Sequence, residues 1–118
     1  MNHPESREQA AFVKFLRTAH PCVLFTISPI NRTGIRAAIR NKIMGYRKGT
    51  PDMTIYEPRG KYHGLVIEFK APGKKIKDLS DEQHDFLVEL NRRNYYAVVC
   101  FSEEEAQRIF IKYMMEVL

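Results

Sequence analysis

The sequence is poor in cysteine and has no long apolar run. Its two cysteines, Cys22 and Cys100, stand without a second cysteine or a histidine at ligand spacing, so neither a zinc site nor a disulfide framework is predicted. Each is expected to be a small core residue. The longest mostly apolar run covers residues 21–27, far too few to span a bilayer. We therefore predict no association with a membrane.

Signals for targeting, for histidine metal sites and for a second domain are also absent. The start Met1-Asn2-His3-Pro4-Glu5 has neither the basic nor the apolar region of a secretory signal peptide, so the expected location is the cytoplasm. The four histidines show no H-x-x-x-H or H-x-E spacing and are expected to be surface or hydrogen-bonded residues. No repeat, linker or low-complexity segment divides the 118 residues. A chain of this length has room for one core, so a single domain over 1–118 is predicted.

The composition is that of a folded protein with a basic surface. Hydrophobic residues make up 44% and charged residues 28% of the chain, which excludes a disordered chain. Lysine and arginine outnumber aspartate and glutamate by 19 to 14, giving a formal charge of +5. This excess is compatible with a polyanionic partner without identifying one.

Periodicity and capping signals predict four helices and four short strands in the order α-β-α-β-β-α-β-α. The helices are predicted at residues 4–19, 35–44, from 80 to between 91 and 94, and from 102 to about 117; the strands at 22–27, 53–56, 64–70 and 95–100. Ser80 with Gln83, and Ser102 with Glu105, have the spacing of a capping box. Helices alternating with a strand pair favour an α/β sandwich around a small mixed sheet.

Two carboxylates and an ammonium are brought by neighbouring predicted strands. Asp52 precedes one strand, and the triplet Glu68-Phe69-Lys70 ends the next. Side chains alternate along a strand, so Glu68 and Lys70 share a face, and a hairpin brings Asp52 within reach of Glu68. Adjacent carboxylates repel unless a cation lies between them, and oxygen ligands suit Mg²⁺ or Mn²⁺. The sequence therefore predicts a divalent-metal site in which Lys70 holds a water or a phosphate oxygen.

Each of these residues also has a simpler interpretation. Asp52 follows a proline and is equally typical of a turn, while Glu68 and Lys70 suit a solvent-exposed strand face. The simpler interpretation requires three coincidences, so we favour the metal site.

The ordered motifs resemble those of the VRR-NUC (virus-type replication-repair nuclease) family within the PD-(D/E)XK nucleases. The resemblance rests on Gly49-Thr50-Pro51-Asp52, Glu68-Phe69-Lys70, Ser80-Asp81-Glu82-Gln83 and the basic stretch 36–48. It implies an α/β/α sandwich of the restriction-endonuclease type and a Mg²⁺- or Mn²⁺-dependent endonuclease. Stand-alone members imply a homodimer that acts on branched, Holliday-junction-like DNA in the cytoplasm of a bacterium or a phage host.

The resemblance also implies roles for individual residues. Asp52 and Glu68 match the metal ligands, Lys70 the catalytic lysine, and the main-chain carbonyl of Phe69 a further ligand. A glutamine after the E-x-K strand matches Gln83, although the capping box already accounts for a glutamine at this position.

The family's glutamate on the first helix has two candidates here, Glu5 and Glu8. Glu5 and Gln9 match the E-x-x-x-Q arrangement and lie one turn apart on one helical face. Glu5 also projects on the side of Phe12, toward the predicted sheet, so we favour Glu5 as a catalytic metal ligand. A role in capping the helix or favouring its dipole stays open for Glu5.

Basic residues flank the predicted metal site in the sequence. They are candidates for phosphate contacts and comprise Arg36, Arg40, Lys42, Arg47 and Lys48 before Asp52, and Lys74 and Lys75 after Lys70. A solvated face is the common meaning of such charge. Their position beside the site favours DNA backbone binding, hence recognition of DNA shape over base sequence. The alternative function is a non-catalytic nucleic-acid-binding module that keeps the fold.

Overall fold

The structure is a computed structural model that describes residues 3–28 and 35–118. Its elements follow the predicted order: α1 (Pro4–Ala19), β1 (Phe25–Ile27), α2 (Ile35–Ile43), β2 (Met53–Ile55), β3 (Leu65–Phe69), α3 (Asp81–Arg92), β4 (Tyr96–Cys100) and α4 (Glu103–Met114). A short 3-10 turn, Ile76–Asp78, precedes α3. The loop predicted at 28–34 lies almost entirely outside the described residues. No described helix has both the length and the apolar character needed to cross a membrane.

The four strands form one mixed sheet in the order β1-β2-β3-β4. Both β1 with β2 and β2 with β3 are antiparallel, whereas β3 and β4 are parallel. The β2–β3 hairpin and the mixed sheet predicted from the sequence are confirmed. Strand β3 is central, with every residue buried.

Alternating side chains of β3 face two different helical layers. Leu65, Ile67 and Phe69 enter the larger core cluster with residues of α1 and α4, namely Phe12, Leu16, Phe110 and Tyr113. Val66 faces the opposite side and packs with Leu87 of α3. Because helices cover both faces, the fold is the predicted α/β/α sandwich.

The side chain of Asn91 ties the end of α3 to the edge strand β4. Its amide nitrogen donates to the carbonyl oxygens of Leu87 at 2.9 Å and Ala97 at 3.0 Å, and its oxygen accepts from the amide of Ala97 at 3.1 Å. Main-chain groups at a sheet edge are open to pairing with other chains. Asn91 closes this edge at Ala97, near the start of β4.

Strand β1 is shorter and more exposed than the buried strand predicted at 22–27. Only Phe25–Ile27 are extended, and Thr26 and Ile27 are exposed. As the edge strand opposite β4, β1 has a neighbour on one side only and therefore fewer groups to pack against. The prediction that both cysteines are core residues is wrong for Cys22, which is exposed, and right for Cys100, which is buried.

Helix α4 begins at the predicted cap but ends before the predicted residue 117, at Met114. Its capping box is only half formed. Ser102 Oγ accepts from the amide of Glu105 at 3.1 Å, but the Glu105 carboxylate accepts from the amide of Phe101 at 2.8 Å. The reciprocal bond to the amide of Ser102 is therefore replaced by one to the residue before it.

Candidate active site

The sheet register places Asp52 and Glu68 side by side. Met53 pairs with Ile67 in the antiparallel ladder, so one step further along Asp52 stands opposite Glu68. Asp52 Oδ2 accepts a hydrogen bond of 2.7 Å from the amide of Phe69. The carboxylate is thereby held against the E-x-K segment itself.

Glu68 lies inside the protein, with 4% of its surface exposed. The interpretation of Glu68 as part of a solvated strand face is therefore wrong, because α3 covers this face of the sheet. Burial raises the pKa of Glu68 to about 8, and the neighbouring Asp52 carboxylate contributes to the increase. Burial also raises the pKa of Asp52, against the opposing influence of the Phe69 amide and Lys70.

Gln83 joins the first turn of α3 to Glu68. Its side-chain oxygen accepts from the amide of Ser80 at 2.9 Å, while its side-chain nitrogen donates to Glu68 Oε2 at 3.1 Å. Ser80 Oγ accepts in turn from the amide of Gln83 at 3.1 Å. The sequence left open whether Gln83 caps α3 or contacts Glu68. In the structure its side-chain oxygen makes the capping bond and its side-chain nitrogen makes the contact with Glu68.

The loop leading to Asp52 rests on the same turn of α3. Gly49 has a φ of +89°, and a β-carbon there would come within 2.5 Å of the carbonyl carbon of Glu82 and 2.8 Å of the amide of Gln83. Only glycine allows this approach without a shift of the backbone. The sequence identified Gly49 only as part of the Gly-Thr-Pro-Asp motif. Its packing against α3 was not predicted, because a local sequence pattern does not indicate contacts between distant segments.

Lys70 follows the last residue of β3 and is half-buried. Its amide donates to the carbonyl of Cys100 at 2.9 Å, which keeps the backbone extended past the strand end. Burial is the larger influence on Asp52 and Glu68 and raises both pKa values, whereas the Lys70 ammonium lowers both. The lysine therefore lies close to both carboxylates, as alternation predicts.

The two glutamates of α1 have different environments. Glu8 Oε1 accepts a 2.7 Å hydrogen bond from the amide of Glu103 at the start of α4, a tertiary cap that no local sequence signal indicates. Glu5 is exposed, and its charge is among the influences, after burial, that raise the pKa of Asp52. Within residues 3–28 and 35–118, no three His, Cys, Asp or Glu side chains converge closely enough to hold a metal ion. Glu5 thus stands apart from the Asp52–Glu68 pair.

The groups that do converge fit a hard divalent cation. Asp52 and Glu68 are adjacent carboxylates, and Phe69, which follows Glu68 and whose amide donates to Asp52, has a main-chain carbonyl that could serve as a third oxygen ligand. An oxygen-only donor set suits Mg²⁺ or Mn²⁺ more than a softer metal. The raised pKa of Glu68 reflects, after burial, repulsion from Asp52, which a cation between the two groups would offset.

The predicted phosphate-binding side chains are all exposed: Arg36, Arg40, Lys42, Arg47, Lys48, Lys74 and Lys75. Two of them also contact α3. Lys48 Nζ lies 3.9 Å from a carboxylate oxygen of Glu82, and the Arg47 guanidinium lies 5.2 Å from the ring centre of Phe86. Arg47 and Lys48, the basic residues nearest to Asp52 in the sequence, therefore contact α3 near Gly49.

A mixed sheet between helical layers, with an aspartate at the start of one hairpin strand and E-x-K at the end of the next, defines the PD-(D/E)XK class of nuclease fold. The chain belongs to the VRR-NUC family within that class, since the VRR-NUC domain model matches residues 2–104. This result confirms the predicted family and fold class.

Comparison with solved structures supports the fold independently. The structure of a VRR_NUC domain protein superimposes with a TM-score of 0.79 at 23% sequence identity, covering 98% of this chain and 91% of that one. A likeness at this identity concerns the fold alone. A comparison with curated proteins found no match.

Proposed function

We propose that the protein is a metal-dependent DNA endonuclease that hydrolyses phosphodiester bonds, preferentially in branched DNA. The observation that carries this proposal is the adjacent carboxylate pair of buried Glu68 and half-buried Asp52, in which Gln83 donates to Glu68 and Lys70 lies nearby. Burying two adjacent carboxylates is costly, and such arrangements are typical of functional sites.

In the proposed mechanism, Asp52, Glu68 and the Phe69 carbonyl would hold Mg²⁺ or Mn²⁺. Such a cation, when bound, would supply Lewis-acid polarisation of the scissile phosphate and would lower the pKa of a coordinated water. Lys70 orients the attacking water and offsets charge that develops on the phosphate. Gln83 and the Phe69 amide keep the two carboxylates in place.

Glu5 is our candidate for a further carboxylate at this site. Two points support Glu5 over Glu8. The Glu8 carboxylate already accepts a hydrogen bond from the amide of Glu103 at the start of α4, and the charge of Glu5 contributes, after burial, to raising the pKa of Asp52. Glu5 is exposed in the first turn of α1, so its side chain is free to change rotamer when a cation binds.

The proposed DNA contacts are mainly to phosphates. The exposed basic side chains named above provide charge without a regular array facing base edges, which favours reading of DNA shape. Paired cutting of a four-way junction requires two sites, so we propose a homodimer with twofold symmetry.

The direct test is cleavage of linear, flapped and four-way DNA by the purified protein, with Mg²⁺, with Mn²⁺ and with a chelator. Asp52→Ala, Glu68→Ala and Lys70→Ala should each lower cleavage by orders of magnitude, because these groups act on the metal and the water. Lys61→Ala is a matched control, since Lys61 lies over the ring of Tyr62 in the β2–β3 connection.

Two outcomes would contradict the proposal. A Lys70→Ala protein that cuts at the wild-type rate would show that Lys70 does not have the catalytic role proposed for it. A wild-type protein that binds DNA but cuts none of the substrates with either metal favours the non-catalytic binding module.

A further inference from the structure

Helix α2 carries a stripe of largely exposed isoleucines. Ile35, Ile39 and Ile43 follow one another at single-turn spacing and are 79%, 53% and 77% exposed. Met44, directly after the helix, is 79% exposed. No residue of α2 is buried. Adjacent exposed apolar residues of this kind mark an interaction surface more often than a free surface.

The same helix is strongly basic. It contains Arg36, Arg40 and Lys42 and no acidic residue. At about 100° per residue, Arg36 and Lys42 each lie about 60° from Ile39, on opposite sides. The apolar stripe is therefore bordered by a cation on each side, and its partner must combine apolar surface with negative charge.

Helix α2 belongs to a chain segment that starts and ends at the carboxylate site. The chain leaves β1 at Ser28, whose amide donates to the carbonyl of Asp52 at 2.8 Å. It returns to the sheet at Asp52 itself, immediately before β2. Helix α2 therefore lies in the segment whose two ends meet beside Asp52.

A second copy of the chain does not suit this surface. The equal spacing of the isoleucines allows two α2 helices to pair antiparallel about a twofold axis at Ile39. That arrangement sets Arg36 and Arg40 of one copy beside the same two residues of the other on one flank, and Lys42 beside Lys42 on the opposite flank. Like charges directly opposed across an interface are destabilising.

DNA with interrupted base stacking matches both properties of α2. Intact duplex presents phosphates and groove edges, and its apolar base faces are hidden by stacking. These faces become accessible at branch points, where apolar side chains can insert beside them as wedges. We propose that Ile35, Ile39 and Ile43 contact unstacked bases at a DNA branch while Arg36 and Lys42 contact the phosphates on either side. This inference rests on the proposed function and adds a structural basis for substrate choice.

The test compares binding of a four-way junction and a linear duplex of the same arm sequence, with Ca²⁺ replacing Mg²⁺ so that cleavage does not interfere. In Ile35→Ser/Ile39→Ser/Ile43→Ser the preference for the junction should fall about tenfold or more, the scale expected for losing the burial of one isoleucine side chain. Linear-duplex affinity and its salt dependence should stay unchanged. Folding should be retained because the replaced side chains are exposed.

Two matched variants separate the apolar and ionic contributions. Met115→Ser/Val117→Ser/Leu118→Ser removes three other exposed apolar side chains and should leave the preference intact. Arg36→Ala/Lys42→Ala should weaken binding to both DNA forms and lower the salt slope by about one unit per lost phosphate contact. A 2-aminopurine at the branch should fluoresce more when wild-type protein binds and less when the isoleucine variant binds.

An equal loss of affinity for both DNA forms, or an unchanged preference, would overturn the inference. So would a change of oligomeric state in the isoleucine variant by light scattering, which assigns α2 to a second copy. If the wild-type protein cleaves DNA but binds junction and duplex equally, the contact of the isoleucines with unstacked bases is refuted and the proposed catalysis is not. A wild type whose junction preference depends on the isoleucines but which cuts nothing refutes the proposed catalysis alone.

Discussion

Glu68 links the stability of the protein to pH. Its pKa in the folded state is about 8, above the ordinary value of 4.5, so the folded protein keeps this proton over a range in which the unfolded chain has lost it. The stabilisation from the neutral carboxyl is fully present below about pH 4.5 and is lost as the pH rises through about 8. We expect the metal-free protein to lose a few kcal/mol of unfolding free energy across this range, at about 1.4 kcal/mol per pKa unit.

Urea denaturation at several pH values measures this effect. Glu68→Gln, which stays neutral, should show a flatter profile than the wild type over the same interval. Mg²⁺ or Mn²⁺ should restore stability at the alkaline end, since binding to the folded state stabilises it. Profiles of equal slope for the two proteins would contradict the assignment of the proton to Glu68.

Substitutions of the two glutamates of α1 should have different effects on stability and on metal binding. Glu8→Ala removes the acceptor for the amide of Glu103 at the start of α4 and should cost about 1 kcal/mol of unfolding free energy, as for other lost helix caps. Glu5→Ala should leave stability within about 0.5 kcal/mol, as for other exposed positions, and weaken Mn²⁺ binding. Chemical denaturation and calorimetric Mn²⁺ titration measure the two effects. The reverse pattern would transfer the metal-binding role to Glu8.

At the scale of elements, the Asp52 loop packs through Gly49 against the turn of α3 that carries Gln83. Gly49→Ala should shift the first turn of α3, because its β-carbon would lie 2.5 Å from the main chain of Glu82. We expect reduced Mn²⁺ affinity and cleavage in addition to lower stability. The position also carries the strain of a positive φ, about 1–2 kcal/mol for a side chain other than glycine.

Gly73→Ala is the matched control for Gly49→Ala. Gly73 has nearly the same φ, +90° against +89°, but nothing lies within 4 Å of a β-carbon there. It should therefore lose stability from strain while keeping Mn²⁺ affinity. In a Gln83→Ala background, Gly49→Ala should have little further effect on Mn²⁺ affinity if it acts through Gln83. Additive losses would show that Gly49 acts by another route.

At the scale of the whole molecule, the proposed homodimer makes a prediction about paired cuts. Light scattering should report a dimer, and mixed dimers with one Glu68→Ala subunit should nick one strand of a four-way junction without resolving it. The physical reason is that each site acts on one strand of a symmetric substrate. A strict monomer at micromolar concentration that still makes paired cuts would rule out this assembly.

The sequence by itself determined the order of elements, the hairpin and the neighbouring positions of Asp52, Glu68 and Lys70. These features follow from local periodicity and from strand alternation, which act over a few residues. It also indicated the α3 cap, since the Ser80–Gln83 spacing is local. The family match followed from the order of these same motifs.

Only the tertiary structure decided the environments of these residues. Glu68 is buried because α3 covers its face of the sheet. Gln83 of α3 donates to Glu68, and Gly49 allows the Asp52 loop to rest on the same helical turn. Glu8 caps α4 across a long sequence separation. The exposure of the α2 stripe likewise depends on which elements pack against it. Burial and contacts between distant segments arise from packing in three dimensions, which a local sequence pattern does not encode.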